Sequence, residues 1–212
     1  MEIKSAEAAI NSVRLFQLAA ALLGVLFLVY GMDVRRKAGA RDFVAPLWQA
    51  IMKLCAFALL GGMAWIVFCM QAPGAIDWLG LAFIASGTAF VVAAKRALGK
   101  SHTFTGQYQE EPQLVTHGVY AITRNPLYFG VFQTEFGALL CALQQVPVLL
   151  PENQALWLGG FGAALAYAVW FNCAMAVREG RELERRIGDA YRRYRSSVAF
   201  LVPFARPDPE AR

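Results

Sequence analysis

The chain has 212 residues, enough for one or two ordinary soluble domains, yet 58% are hydrophobic and only 17% charged, a balance that water solvates poorly. Its net charge of +5 comes without the cations interleaved with exposed aromatics that mark a reader of DNA or RNA, so a bilayer with anionic headgroups is the simpler partner than nucleic acid. Cys55, Cys69, Cys141 and Cys173 all lie inside apolar runs and form no C-x-x-C pair, which points away from a disulfide framework and from a zinc or other metal site.

Glu2 and Glu7 open the chain with no basic segment or cleavage signal, so the first apolar run is expected to stay as a membrane anchor. Five stretches, 13–30, 47–70, 78–94, 127–143 and 155–177, approach the roughly 20 apolar residues that a helix needs to cross a bilayer. The expected fold is a single all-α integral membrane domain over 1–212, with about five transmembrane helices and an amphipathic C-terminal helix. Arg35, Arg36, Lys37 and Arg41 occupy the first connection, and Lys95, Arg96, Lys100 and Arg124 the third, whereas 71–77 and 144–154 contain no Lys or Arg. With a further run of arginines from Arg178 to Arg195, the positive-inside rule places the N-terminus outside and the first and third connections and the tail in the cytoplasm, as in a multi-pass inner or plasma membrane protein.

Within the spans, Gly159 with Ala163 and Gly160 with Ala164 are spaced for close helix approach. Lys53, near the start of the second span, can snorkel to the interface. Glu135, about two turns into the fourth span, is either a site residue or a helix-packing hydrogen bonder, because a carboxylate at that depth needs a polar surrounding or a proton.

Polar and titratable groups concentrate in 95–128 and 178–204. In the first segment Gly118 supplies a turn, and Pro126 suits the first turn of the fourth helix, where its missing N–H costs nothing. Arg124 then stands at a helix N-terminus, whose free N–H groups cooperate with a guanidinium in holding an anion such as a carboxylate. His102 falls in a solvated loop. In the second segment Glu179, Leu183, Ile187, Tyr191, Tyr194 and Val198 recur at helical spacing, before Pro203 and Pro207 end regular structure. An interfacial helix held by anionic lipid explains the stripe, but not why a glutamate heads it and two tyrosines follow on the same side.

These residues resemble the membrane-embedded methyltransferases that include isoprenylcysteine carboxyl methyltransferase and the phospholipid N-methyltransferases. The family's G-x-Y turn, its Arg-His-Pro-x-Tyr box, and its Glu-Glu-x-x-Leu helix ending in spaced tyrosines and Val-Pro read here as Gly118-Val119-Tyr120, Arg124-Asn125-Pro126-Leu127-Tyr128, and Glu179-Gly180-Arg181-Glu182-Leu183 through Tyr191, Tyr194 and Val202-Pro203. The likeness covers about the last half of the chain, and it departs at Asn125, where many members have His, and at Gly180, where a second Glu is usual. It implies S-adenosylmethionine as cofactor and a lipophilic or lipid acceptor. It also implies a cofactor pocket formed by His117, Gly118, Tyr120, Arg124, Asn125, Pro126, Tyr128, Glu179, Leu183, Tyr191 and Tyr194, with Arg124 on the methionine carboxylate and Glu179 on its ammonium or ribose. Arg124, Glu179 and Glu135 are the catalytic candidates, the last two as acceptors of a proton if the acceptor is an amine rather than a carboxylate or thiol.

Two other readings stay open. A membrane sterol or enone reductase using NADPH shares an Arg-His-Pro box, although its usual Asn before the tyrosine is Leu127 here. A small transporter or assembly subunit would spread ionisable groups over several spans, and only Glu135 fits that description. No strand followed by G-x-G-x-x-G points to a soluble nucleotide domain.

Overall fold

In hydrocarbon a chain must satisfy its backbone polar groups internally, so long apolar runs become helices. The computed structural model describes residues 2–31, 40–42, 44–99, 107–109 and 113–205. Arg35, Arg36, Lys37, Lys100, His102 and Pro207 lie outside the described residues. Five long helices match the five predicted spans: α1 (Glu2–Gly31), α2 (Pro46–Cys69), α3 (Ala75–Leu98), α4 (Pro126–Leu149) and α5 (Gln154–Ile187). All five are long and apolar enough to cross a membrane, and large side chains such as Leu18 (71% exposed), Phe68 (83%) and Leu156 (74%) point outward, which only lipid makes favourable.

The helices run past the apolar stretches, because a polar residue ends burial but not hydrogen bonding. Thus α3 continues through Lys95 and Arg96, and α4 continues through Gln144 and Gln145 to Leu149. At 34 residues, α5 is roughly 50 Å long against a hydrocarbon core of about 30 Å, so its final turns project from one end of the bundle.

The tightest packing joins α3 and α4, which run antiparallel with glycines seven residues apart on each: Gly80 and Gly87 against Gly137 and Gly130. A methyl group built on Gly87 would lie 2.4 Å from the Gly130 carbonyl oxygen, and one on Gly137 2.3 Å from that of Gly80. Edge-on aromatic pairs flank the seam at the same interval, Phe83 with Phe136 and Phe90 with Phe129, each 4.9 Å between ring centres. Of the pairs spaced for close approach, Gly159 with Ala163 and Gly160 with Ala164, the glycines are not in a seam, since a methyl group on Gly159 or Gly160 would meet nothing within 4 Å, while Ala164 packs against the cluster of Met52, Leu59, Phe171 and Met175.

Around this core, Phe16 of α1 packs edge-on against Trp78 of α3 at 5.2 Å, and Met52 and Leu59 of α2 meet Phe171 and Met175 of α5. At the end opposite the polar segments, the fully buried Asp77 accepts from the Gly74 backbone N–H at 2.8 Å and from Gln145 Nε2 at 2.6 Å, tying the start of α3 to the last turns of α4.

Two departures from the expected fold concern the polar end. A short antiparallel ribbon, β1 (Ala40–Asp42) with β2 (Gln107–Gln109), pairs Arg41 with Tyr108 and joins the first and third connections at one end of the bundle. The C-terminal amphipathic helix is not one element. α5 carries its first part without interruption to Ile187, Gly188 breaks it at φ +65°, a conformation that glycine tolerates best, and α6 (Asp189–Ser197) follows. The bend lets Tyr191, Tyr194 and Val198 pack with Leu183, Ile187 and Leu114.

Candidate functional site

The site begins with a turn. Gly118 at φ +61° opens a single 3-10 turn, Gly118–Ala121, that swings Tyr120 inward. Five residues later the chain enters α4, and Pro126 occupies its first turn as expected. Between these points the backbone would be short of partners, and the C-terminal segment supplies them. The Arg124 N–H donates to the Ala199 carbonyl at 2.8 Å, Asn125 Nδ2 to the Phe200 carbonyl at 2.7 Å, and Thr123 Oγ1 to the Leu201 carbonyl at 2.8 Å. Three successive residues of the loop thus hold three successive residues of the tail. Thr123 is fully buried; sequence reasoning missed it, since a threonine in a loop carries no spacing signal.

This clamp sets the arginine. Arg124 is only 9% exposed, its guanidinium stands 5.3 Å above the Phe200 ring centre, and it lies beside the Tyr191 hydroxyl. Tyr194 donates its hydroxyl to the Tyr120 carbonyl at 2.7 Å and packs against Tyr191 with 6.1 Å between ring centres. Tyr128, in the first turn of α4, donates to Glu179 Oε1 at 2.7 Å and so bridges α4 and α5 between residues 51 positions apart. Arg124, Glu179 and the tyrosines 120, 128, 191 and 194 therefore share one polar cluster at the end of the bundle. Burial raises the hydroxyls of Tyr120, Tyr191 and Tyr194 above the usual tyrosine range, with Glu179 adding to the effect at Tyr120. They act as neutral hydrogen-bonding groups.

Other expected residues fall differently. His117 and Gly118 are exposed at the rim. The Asn125 amide is engaged by the tail, so the residue that replaces the family's histidine holds the C-terminal segment in place. Leu183 packs behind Tyr191 and Tyr194 as part of their apolar support. At Gly180 an added methyl group would already approach the Tyr191 hydroxyl to 3.0 Å, so a second glutamate there would have to displace that tyrosine. Glu182 pairs with Arg185 and Arg186 along α5 itself, whereas Glu184 pairs with Arg192 and Arg195 and so braces α6 against the end of α5.

Below the cluster, α1, α2, α4 and α5 enclose a largely apolar cavity of about 530 Å³ that reaches up to Leu127, next to Tyr128. Glu135 lines it, seven residues and hence roughly 10 Å further along α4 than Tyr128.

Four tyrosines thus surround one buried guanidinium and one carboxylate, carried by the turn and loop before α4, by α4 and α5, and by α6. Residues 75–151 match the family model of the phospholipid methyltransferases. The match covers 77 of the 212 residues; it agrees with the family resemblance drawn from the sequence and supports a membrane methyltransferase. No curated protein matches the chain. The methyltransferase match spans α3, the 3-10 turn and α4, so it contains the glycine seam, Tyr120, Arg124 and Tyr128. It stops before α5; Glu179, Tyr191 and Tyr194 meet the matched stretch through the contacts described above.

Proposed function

We propose that the protein transfers a methyl group from S-adenosylmethionine to a carboxylate, thiol or amine of a lipophilic acceptor, at the end of the bundle where the polar cluster sits. One observation carries this reading: Arg124 and Glu179, 55 positions apart in the sequence, belong to a single buried cluster walled by four tyrosines. The donor set fits the cofactor. A guanidinium at a helix N-terminus suits the carboxylate of its amino-acid portion, a carboxylate suits the ammonium or a ribose hydroxyl, and tyrosine faces favour a neighbouring positive charge.

When bound, S-adenosylmethionine supplies a methyl group on a sulfonium that is already a good leaving group. The protein's own task is then to position and to exclude water. Tyr128 fixes the rotamer of Glu179 by its hydrogen bond. The tail clamp on Thr123, Arg124 and Asn125 fixes the guanidinium. Orientation of this kind can account for about 7–11 kcal/mol of a barrier. An anionic acceptor needs nothing more, whereas an amine must give up a proton, and Glu179 is the carboxylate at the cluster itself. The apolar part of the acceptor enters sideways from the lipid. The uneven distribution of Lys and Arg supports a cytoplasmic face for this end, with the N-terminus outside.

Isothermal titration of the detergent-purified protein with S-adenosylhomocysteine and, separately, with NADPH tests the assignment. Binding of the first alone is expected, and it should be lost in Arg124→Ala and weakened in Glu179→Gln while both variants stay folded. Binding of NADPH alone, or unchanged affinity in Arg124→Ala, refutes it.

A further inference from the structure

The apolar cavity contains a second polar tier that the methyl-transfer reading does not use. Glu135 lies seven residues beyond Tyr128 on α4, and Asn172 seven residues before Glu179 on α5. Because the two helices are antiparallel and Tyr128 is hydrogen-bonded to Glu179, both steps descend the bundle together, by roughly 10 Å. Both residues line the same cavity. Asn172 is 2% exposed and its Nδ2 has no hydrogen-bond partner; one carboxyl oxygen of Glu135 is buried and likewise without one. Neighbouring Thr134 spends its one hydroxyl hydrogen on the Gly130 carbonyl of its own helix. The other lining groups in reach, such as Val131, Ala138, Leu165 and Ile84, are apolar.

Burying a polar group without a partner is costly, and here two such groups face one space of ligand size. A site of this kind is complementary to a group that can both donate and accept. We infer that the cavity seats the apolar body of the methyl acceptor, and that Glu135 and Asn172 recognise a hydroxyl or amide set about two helical turns away from the atom that is methylated. The acceptor is thus an amphiphile with a hydrogen-bonding group partway along its apolar portion, rather than a plain hydrocarbon chain. This rests on the methyltransferase reading of the cluster above it, and it reassigns Glu135 from proton acceptor to acceptor recognition. A hydroxyl satisfies the pair whichever way the Asn172 amide is turned.

The test is competitive displacement of a fluorescent fatty acid from the detergent-purified protein by two probes, stearate and stearate hydroxylated at mid-chain. The wild type is expected to prefer the hydroxylated probe by about tenfold, the size of one net buried hydrogen bond. Asn172→Leu should abolish the preference while binding plain stearate at least as well and keeping its affinity for S-adenosylhomocysteine. Equal affinity of the two probes for the wild type overturns the inference, whatever the variants do. So does a preference that survives both Asn172→Leu and Glu135→Leu. Failure of S-adenosylhomocysteine to bind the wild type would instead overturn the underlying function and leave the probe comparison to be judged by itself.

Discussion

Replacing Gly87 by alanine should loosen the bundle out of proportion to one methyl group. The added carbon would lie 2.4 Å from the Gly130 carbonyl oxygen, 2.5 Å from Thr134 Oγ1 and 2.7 Å from the Thr134 backbone nitrogen, against 3.4 Å for ordinary contact. Two of these obstacles are backbone, so no rotamer change relieves them, and α3 and α4 must part by up to about 1 Å at this level. Overpacking of this kind costs about 1–3 kcal/mol, and each lost close contact along the seam adds to it. The assay is thermal denaturation in detergent, with Gly159→Ala as the control because the space there is empty. A double-mutant cycle sharpens it: once Gly87→Ala has separated the helices, Gly130→Ala should cost much less than it does alone. Equal melting temperatures for Gly87→Ala and Gly159→Ala, or strict additivity in the cycle, would refute the reasoning.

Further outcomes follow from the polar end. Tyr128→Phe removes the hydrogen bond to Glu179 and should weaken S-adenosylhomocysteine binding about fivefold, corresponding to a net loss near 1 kcal/mol, as read by titration calorimetry. Gly188→Ala forces a side chain into a positive-φ position and should expose α6 to limited proteolysis while leaving the spans protected. Because burial raises the hydroxyls of Tyr120, Tyr191 and Tyr194 in the folded state, their contribution to stability is complete below the unfolded value of about 10 and is lost as pH rises above it. A melting temperature that is flat to about pH 10 and then falls, with a shallower fall in Tyr191→Phe, is the expected profile.

The five spans were legible in the sequence because their cause is local: apolar length and the need to satisfy the backbone in lipid. Their ends were less so, since Lys95, Arg96, Gln144 and Gln145 interrupt apolarity without interrupting the helix. The packing seam was misplaced for a different reason. Small residues four apart draw the eye to Gly159 and Gly160, whereas the glycines in contact are seven apart and become meaningful only when Gly80 and Gly87 are matched with Gly137 and Gly130 on another helix. Arg124 and Glu179 could be named as partners in one site only through the family pattern. Nothing in the spacing of either shows that Tyr128 bridges to Glu179 or that the tail clamps Thr123, because both depend on how distant segments meet. Asn172 went unremarked, as a lone amide in an apolar run usually finds a partner.

The clamp between loop and tail also fixes when the protein can become competent. Every span, and the whole stretch that matches the family, has been synthesised by Ile187, but the carbonyls that hold Thr123, Arg124 and Asn125 belong to Ala199, Phe200 and Leu201. A chain cut short after Ser197 would insert, pair its glycines and resist heat much as the intact one does, yet its arginine would swing on an unanchored loop. Completion of the site is thus a stitch made by residues that follow the fifth span in the chain.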